Sequence, residues 1–197
     1  MRPIAHSVTL VDAILPRTNP RVDLMRKVLV VLGFTALISL SAKIAIGVPW
    51  SSVPVTGQTF AILLTGALLG SRLGALTVMA YLAEGAMGLP VFAYGGGAAY
   101  FAGPTAGFLL GFVPMAFVVG YLCERGWDRR PWTAIPAFLA GEVVLYIFGL
   151  AWLAYFVPAD RLLSAGLIPF IPGDLTKIAL AALALPSGWA ILKLVRR

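Results

Sequence analysis

Six stretches of this sequence, about residues 27–47, 53–70, 73–89, 104–122, 132–157 and 174–194, are almost wholly apolar, and each is bounded by Pro, Gly or a charge. Runs of that length leave few folds open, because a backbone in hydrocarbon must satisfy its own N–H and C=O groups, which a helix does within itself. The expectation is an all-α integral membrane protein with six transmembrane helices. Residues 27–197 form one domain behind an amino-terminal tail of residues 1–26. Composition agrees: 60% of the residues are hydrophobic, 12% are charged, and the mean hydropathy is +0.93, which no ordinary soluble domain approaches. The second and third stretches are short for the roughly 20 residues a straight span needs. "PWSSVPVTGQT" must then complete the outer layer.

The formal charge of +7 invites a nucleic-acid reading. A phosphate-binding patch needs a solvated face, however, and here Lys and Arg fall between apolar runs, so no nucleic-acid partner is expected. They read as topology signals instead. Arg2, Arg17, Arg21, Arg26 and Lys27 precede the first run, Arg72 separates the second from the third, "CERGWDRRP" carries Arg125, Arg129 and Arg130, and Lys193, Arg196 and Arg197 close the chain. The alternate loops carry only Arg161, which places both termini in the cytoplasm and the lipid bilayer around the helices. No removable signal peptide is expected, since no small-residue cleavage site follows the first run. A single cysteine, Cys123, excludes an internal disulfide, and a single histidine, His6, leaves no Cys/His cluster. Neither a metal nor a cofactor is expected.

Against this background "PFIPGDLTKIALAALAL" stands out, because Asp174 and Lys177 open its apolar run. Each costs roughly 2.5–3.5 kcal/mol at a helix centre on the insertion scale, so something must offset them. Two readings fit. Asp after "PG" suits a helix first turn, with Lys one turn on reaching back to the interface. Alternatively the pair, at i and i+3 on one helical face, holds a polar ligand. The topology puts Asp174 and Lys177 on the external side, together with the two long loops rich in Gly, Pro and hydroxyls, "PWSSVPVTGQT" and "GLPVFAYGGGAAYFAGPTAG". Such backbone must line protein or a water-filled cavity, so an outward-facing pocket is expected. Thr56, Gln58, Thr59 and Ser51 or Ser52 offer it uncharged donors and acceptors suited to an amide-like or ureido group.

Other polar residues carry weaker signals. "GGG" at 95–97 lacks the P-loop pattern and reads as a tight turn or a close approach of backbone to ligand. Gly66, Gly70, Gly74, Gly107 and Gly111 read as packing positions. Lys43 and Glu84 lie at similar depth, where a mutual ion pair is the cheapest expectation. Glu142, deeper in the fifth run, reads as a protonated, hydrogen-bonded acid or as a proton-coupling site. Tyr146 and Trp152 cover an apolar ligand surface or anchor at the interface. Without an ATP-binding motif, a triad spacing or paired histidines, no enzymatic activity is expected.

The order and density of "VPVTGQTF", "LLGSRLGALTVMAYLAEGAMGLPVFAYGGG", "FAGPTAGFLLGF", "YIFGLAWL" and "GLIPFIPGDLTKIALA", across roughly residues 36–185, resemble the BioY family, the biotin-specific S components of energy-coupling factor (ECF) transporters. The resemblance implies an S-component-like six-helix bundle in a bacterial plasma (inner) membrane. It also implies a biotin site near the outer surface, capped by the loops between spans one and two, three and four, and five and six. Asp174 and Lys177 of "GDLTK" then contact biotin, whose ureido N–H groups suit a carboxylate and whose valerate suits an ammonium. Gln58 and Thr56 add polar contacts, and Phe92, Tyr146 and Trp152 suit the thiophane ring and aliphatic chain. Such subunits work with a transmembrane scaffold (T component) and two cytoplasmic ATPases; Thr35, Ala36, Ser39 and Ala42 are candidates for the scaffold-facing surface. A stand-alone transporter, homo-oligomeric or ion-coupled, is the alternative. The sequence departs from the family pattern at Lys43, Gly57 and Glu84.

Overall fold

A computed structural model describes residues 9–14 and 19–195; Arg2, His6, Arg17, Arg196 and Arg197 lie outside the described residues. After the short α1 (Leu10–Ile14), each apolar stretch contains a helix: α2 (Pro20–Lys43), α3 (Gln58–Leu69), α4 (Ser71–Ala86), α5 (Ala106–Cys123), α6 (Pro131–Leu153) and α8 (Ile171–Val195), with a short α7 (Leu162–Gly166) before the last. Four helical stretches among the described residues are long and apolar enough to cross a membrane: Pro20–Lys43, Ala106–Cys123, Pro131–Leu153 and Ala159–Leu194. The 12 residues of α3 reach only about 18 Å, against a hydrocarbon core of about 30 Å.

Element boundaries follow local chemistry. α2 starts earlier than hydropathy suggests because Asn19 caps it, its side chain accepting from the Arg21 N–H at 3.3 Å, with Pro20 in the first turn. Its charged first turns stay helical through the Asp23–Lys27 pair at 2.9 Å, and Arg26 ties α1 to α2 through Asp12 at 3.1 Å. Residues 53–57, placed by hydropathy in the second run, are not helical. Val55–Thr56 (β2) pairs antiparallel with Ala45–Ile46 (β1), in the register Ala45 with Thr56 and Ile46 with Val55.

α5 is the central helix, packed on α3, α4 and α6. In its most apolar window 61% of residues are buried, against 11% for α2, which therefore lies at the periphery. Small residues set this packing. A side chain on Gly66 would strike the Ala116 backbone, one on Gly107 would strike Trp152 and Phe148, and one on Gly149 would strike Phe108. α3 turns into α4 at Gly70, whose φ of +83° disfavours any side chain. There Glu124 caps α4, accepting from the Ser71 N–H at 2.8 Å and the Ser71 hydroxyl at 3.0 Å. A carboxylate at a helix N-terminus also meets the positive end of the dipole.

Candidate ligand-binding cavity

At the end of the bundle where α3 and α8 begin and α6 ends, a cavity of about 370 Å³ opens, within the roughly 300–1,000 Å³ typical of small-molecule sites. Phe92, Tyr100, Phe108, Phe112, Leu145 and Phe170 wall it, while Thr56, Gln58, Thr59, Tyr146, Asp174 and Lys177 gather polar atoms at its edge. Phe108 stacks on Phe170 with centroids 6.1 Å apart and meets Tyr146 edge-on at 6.3 Å.

Asp174 lies in the first turn of α8, where its own N–H reaches the Phe170 carbonyl at 2.9 Å, so the helix begins at Ile171, with Pro172 in its first turn and the carboxylate at its positive end. The residue is 5% exposed. Its Oδ1 accepts from Lys177 Nζ at 2.9 Å and from the Thr59 hydroxyl at 3.3 Å, and its Oδ2 accepts from the Tyr146 hydroxyl. Lys177 Nζ also donates to the Thr56 carbonyl at 2.8 Å and to Thr59 Oγ1 at 2.7 Å. All three ammonium donors are thus engaged. A ligand group that binds Lys177 must replace one of these contacts, and the backbone carbonyl and the hydroxyl are the weaker acceptors.

Gln58 is buried and bonded through both amide atoms: its Oε1 accepts from Thr56 Oγ1 at 2.9 Å, and its Nε2 donates one of its two hydrogens to Tyr81 Oη at 2.6 Å. Tyr81 Oη donates in turn to the Val91 carbonyl at 3.1 Å. The first loop is thereby joined to the segment carrying Phe92. That segment closes tightly, with Phe92 bridged to Gly95 and Gly96 so close to the Leu89 carbonyl that only glycine fits.

Of the residues singled out from the sequence, Thr56, Gln58, Phe92, Tyr146, Asp174 and Lys177 line this cavity. Trp152 stands outside the lining. It lies about 240° around the helix axis from Tyr146, six residues earlier, and faces a groove it shares with Gly107, Leu110, Phe148 and Tyr155. Its indole N–H donates to the Gly103 carbonyl at 3.0 Å, and Gly103 does line the cavity. The expected Lys43–Glu84 pair is corrected as well: no ion pair joins them among the described residues. Lys43 Nζ donates to the Phe92 carbonyl at 2.7 Å instead, because the loop after α4 comes back over the end of α2. Glu142 is buried, and among the described residues neither of its carboxyl oxygens has the hydrogen-bond partner that the first of its two readings expects. Sequence reasoning missed the walls, Phe108, Phe112 and Phe170. Thr59 was noted only as one of several loop hydroxyls, yet it joins both charged partners; its place one residue after Gln58 at the start of an apolar run was the available signal.

The sequence model of the BioY family matches residues 12–194. The chain belongs to the BioY family. BioY relatives include a biotin transporter BioY of Thermotoga maritima, 42% identical over 152 residues, which cover 76% of this chain and 88% of the relative. One of Rhodobacter capsulatus is 41% identical over 177 residues, covering 82% and 87%. Among solved structures, the crystal structure of the S component for biotin from an ECF-type ABC transporter superposes with a TM-score of 0.74 at 26% identity, covering 92% of this chain and 96% of that one. This BioY chain is a mostly helical membrane protein with the S-component fold, and its named relatives are transporters rather than enzymes.

Proposed function

We propose that this chain captures biotin in the α3–α6–α8 cavity, as the substrate-binding S component of an ECF transporter, and so mediates biotin uptake. One observation carries the reading: the buried Asp174–Lys177–Thr59–Tyr146 cluster sits at the edge of an aromatic-walled cavity, in a chain similar to biotin transporters over most of its length. Biotin has the matching division, an apolar thiophane and aliphatic chain with a ureido group at one end and a carboxylate at the other. Asp174, Lys177, Thr56 and Gln58 supply the polar contacts, and Phe92 and Tyr146 the apolar ones. Trp152 acts from behind the wall.

The six main helices, from Pro20 of α2 to Val195 of α8, form one domain, which begins earlier than the residue 27 expected from hydropathy. α3 and α4 span as a hairpin whose missing length is made up by β2 and the loops. Both termini are cytoplasmic, in keeping with the distribution of Arg and Lys, and the cavity faces outward. A transmembrane scaffold and two ATPases supply the energy, a reading supported by the likeness to the S component of an ECF-type ABC transporter. The test is equilibrium binding of biotin, thiamine and riboflavin to the purified protein. Tight, stoichiometric binding of biotin alone is expected, and equal or absent binding of the three would overturn the reading. Biotin uptake in cells lacking every coupling ATPase would reassign the chain as a stand-alone transporter.

A further inference from the structure

Glu142 sits on α6 one turn before Tyr146, is 4% exposed, and has no hydrogen-bond partner on either carboxyl oxygen among the described residues. Glu142 lies midway along the apolar α6, whose adjacent Gly141 packs on Val119, Met115 and Leu63. Leu145 and Tyr146, three and four residues on along the same face of α6, line the cavity, and Tyr146 bonds Asp174, which puts Glu142 one turn below the Asp174–Lys177 pair of α8. Tyr146, on its own helix, is committed to Asp174. The titratable groups of α5, Tyr121 and Cys123, lie at the opposite end of the bundle, as do Asp128 and Arg129 of the turn before α6, and α3 contributes only the neutral Gln58, Thr59 and Thr65. Lys177 has no donor left for Glu142, and Asp174 already matches its charge. An ionised Glu142 would be a buried charge with neither a cation nor a donor, which a protein interior tolerates poorly.

We propose that Glu142 is a proton-binding site linked to the ligand cavity, so that a monocarboxylate ligand binds only while Glu142 holds its proton. The inference rests on the assignment of biotin to the cavity. An incoming carboxylate joins Asp174 opposite a single ammonium, and ionising Glu142 would then set three carboxylates against one cation. The complex therefore holds the proton more firmly than the empty protein does. Affinity falls as pH rises past the point where Glu142 of the empty protein ionises, by up to about tenfold per pH unit for one proton. The linkage concerns binding and requires no proton gradient to drive transport.

The experiment measures biotin affinity from about pH 6 to about pH 9 for the wild type and Glu142→Gln in detergent, with calorimetry in two buffers of different ionisation enthalpy to count protons taken up. At low pH the two should bind alike. With rising pH the wild type should weaken and take up nearly one proton per biotin, while Glu142→Gln stays flat and takes up none. A loss of affinity from Lys177 at the alkaline end would appear in both. Wild-type binding that is flat and proton-free, or a slope and uptake that persist in Glu142→Gln, overturns the inference. Should the variant not fold, proton uptake by the wild type decides alone. Absence of wild-type binding even at low pH would instead sink the biotin assignment, and this inference with it.

Discussion

Two aspartates are buried at opposite ends of the bundle, and their surroundings differ. Asp174, 5% exposed, shares its carboxylate among Lys177, Thr59 and Tyr146 at the edge of a cavity. Asp128, 1% exposed in the turn before α6, accepts from the Trp189 indole N–H, and the Arg129 guanidinium lies 4.9 Å from that ring. Trp189 packs in turn with Leu10 and Ala13 of α1. The Asp128 group bolts α1, α8 and the α5–α6 turn together, and none of its members lines the cavity. Burial of a charge under apolar helices therefore does not distinguish a candidate site from a bolt. What distinguishes them is open volume next to polar atoms whose partners a ligand can replace.

The largest expected effect separates the two ends directly. Lys177→Met removes the ammonium available to a ligand carboxylate and leaves Asp174 buried without its cation, a loss of roughly 2–5 kcal/mol in binding. Biotin affinity should fall about a hundredfold or more in equilibrium binding, while Asp128→Asn, at the other end, should leave it close to wild type. Similar affinities for the two variants would erase the distinction. A smaller effect tests the wall of the cavity: Trp152→Phe keeps a ring against Gly107 but loses the donor to Gly103, a bond of about 1 kcal/mol. Biotin should dissociate about fivefold faster in a stopped-flow chase, and an unchanged rate would show that Trp152 does not hold the wall.

The smallest effect concerns stability at the bolt. Burial raises the Asp128 carboxyl above its ordinary value of 3.8, with the Trp189 N–H pulling the other way. A carboxyl raised on folding binds more protons folded than unfolded, so its contribution is fully present below the ordinary value and is lost as pH rises through the folded-state value. Thermal-unfolding midpoints measured upward from about pH 4 should therefore decline more in the wild type than in Asp128→Asn. Parallel curves would remove Asp128 as the cause.

Much of the cavity's polar edge was legible because it is local. Asp174 and Lys177 are one helical turn apart, so their meeting follows from the period of α8 alone. Thr56, Gln58 and Thr59 were visible as polar residues at the entry of an apolar run. Lys43 and Glu84 show where depth misleads: residues at one level pair only if their helices turn the right faces together, and Lys43 meets the Phe92 carbonyl instead. Trp152 fails for the same reason, six residues along α6 being enough to point it away from the wall Tyr146 occupies.

By itself the sequence determined that this chain enters a membrane, where its helices lie, and that an ionic pair opens the last of them, since hydropathy, helical period and caps act over a few residues. Only the tertiary structure decided which aromatic side chains wall the cavity, that Thr59 and Tyr146 meet Asp174, and that Glu142 has no hydrogen-bond partner among the described residues. Those outcomes depend on the rotation and close approach of α3, α5, α6 and α8, set by glycine contacts between residues far apart in the chain.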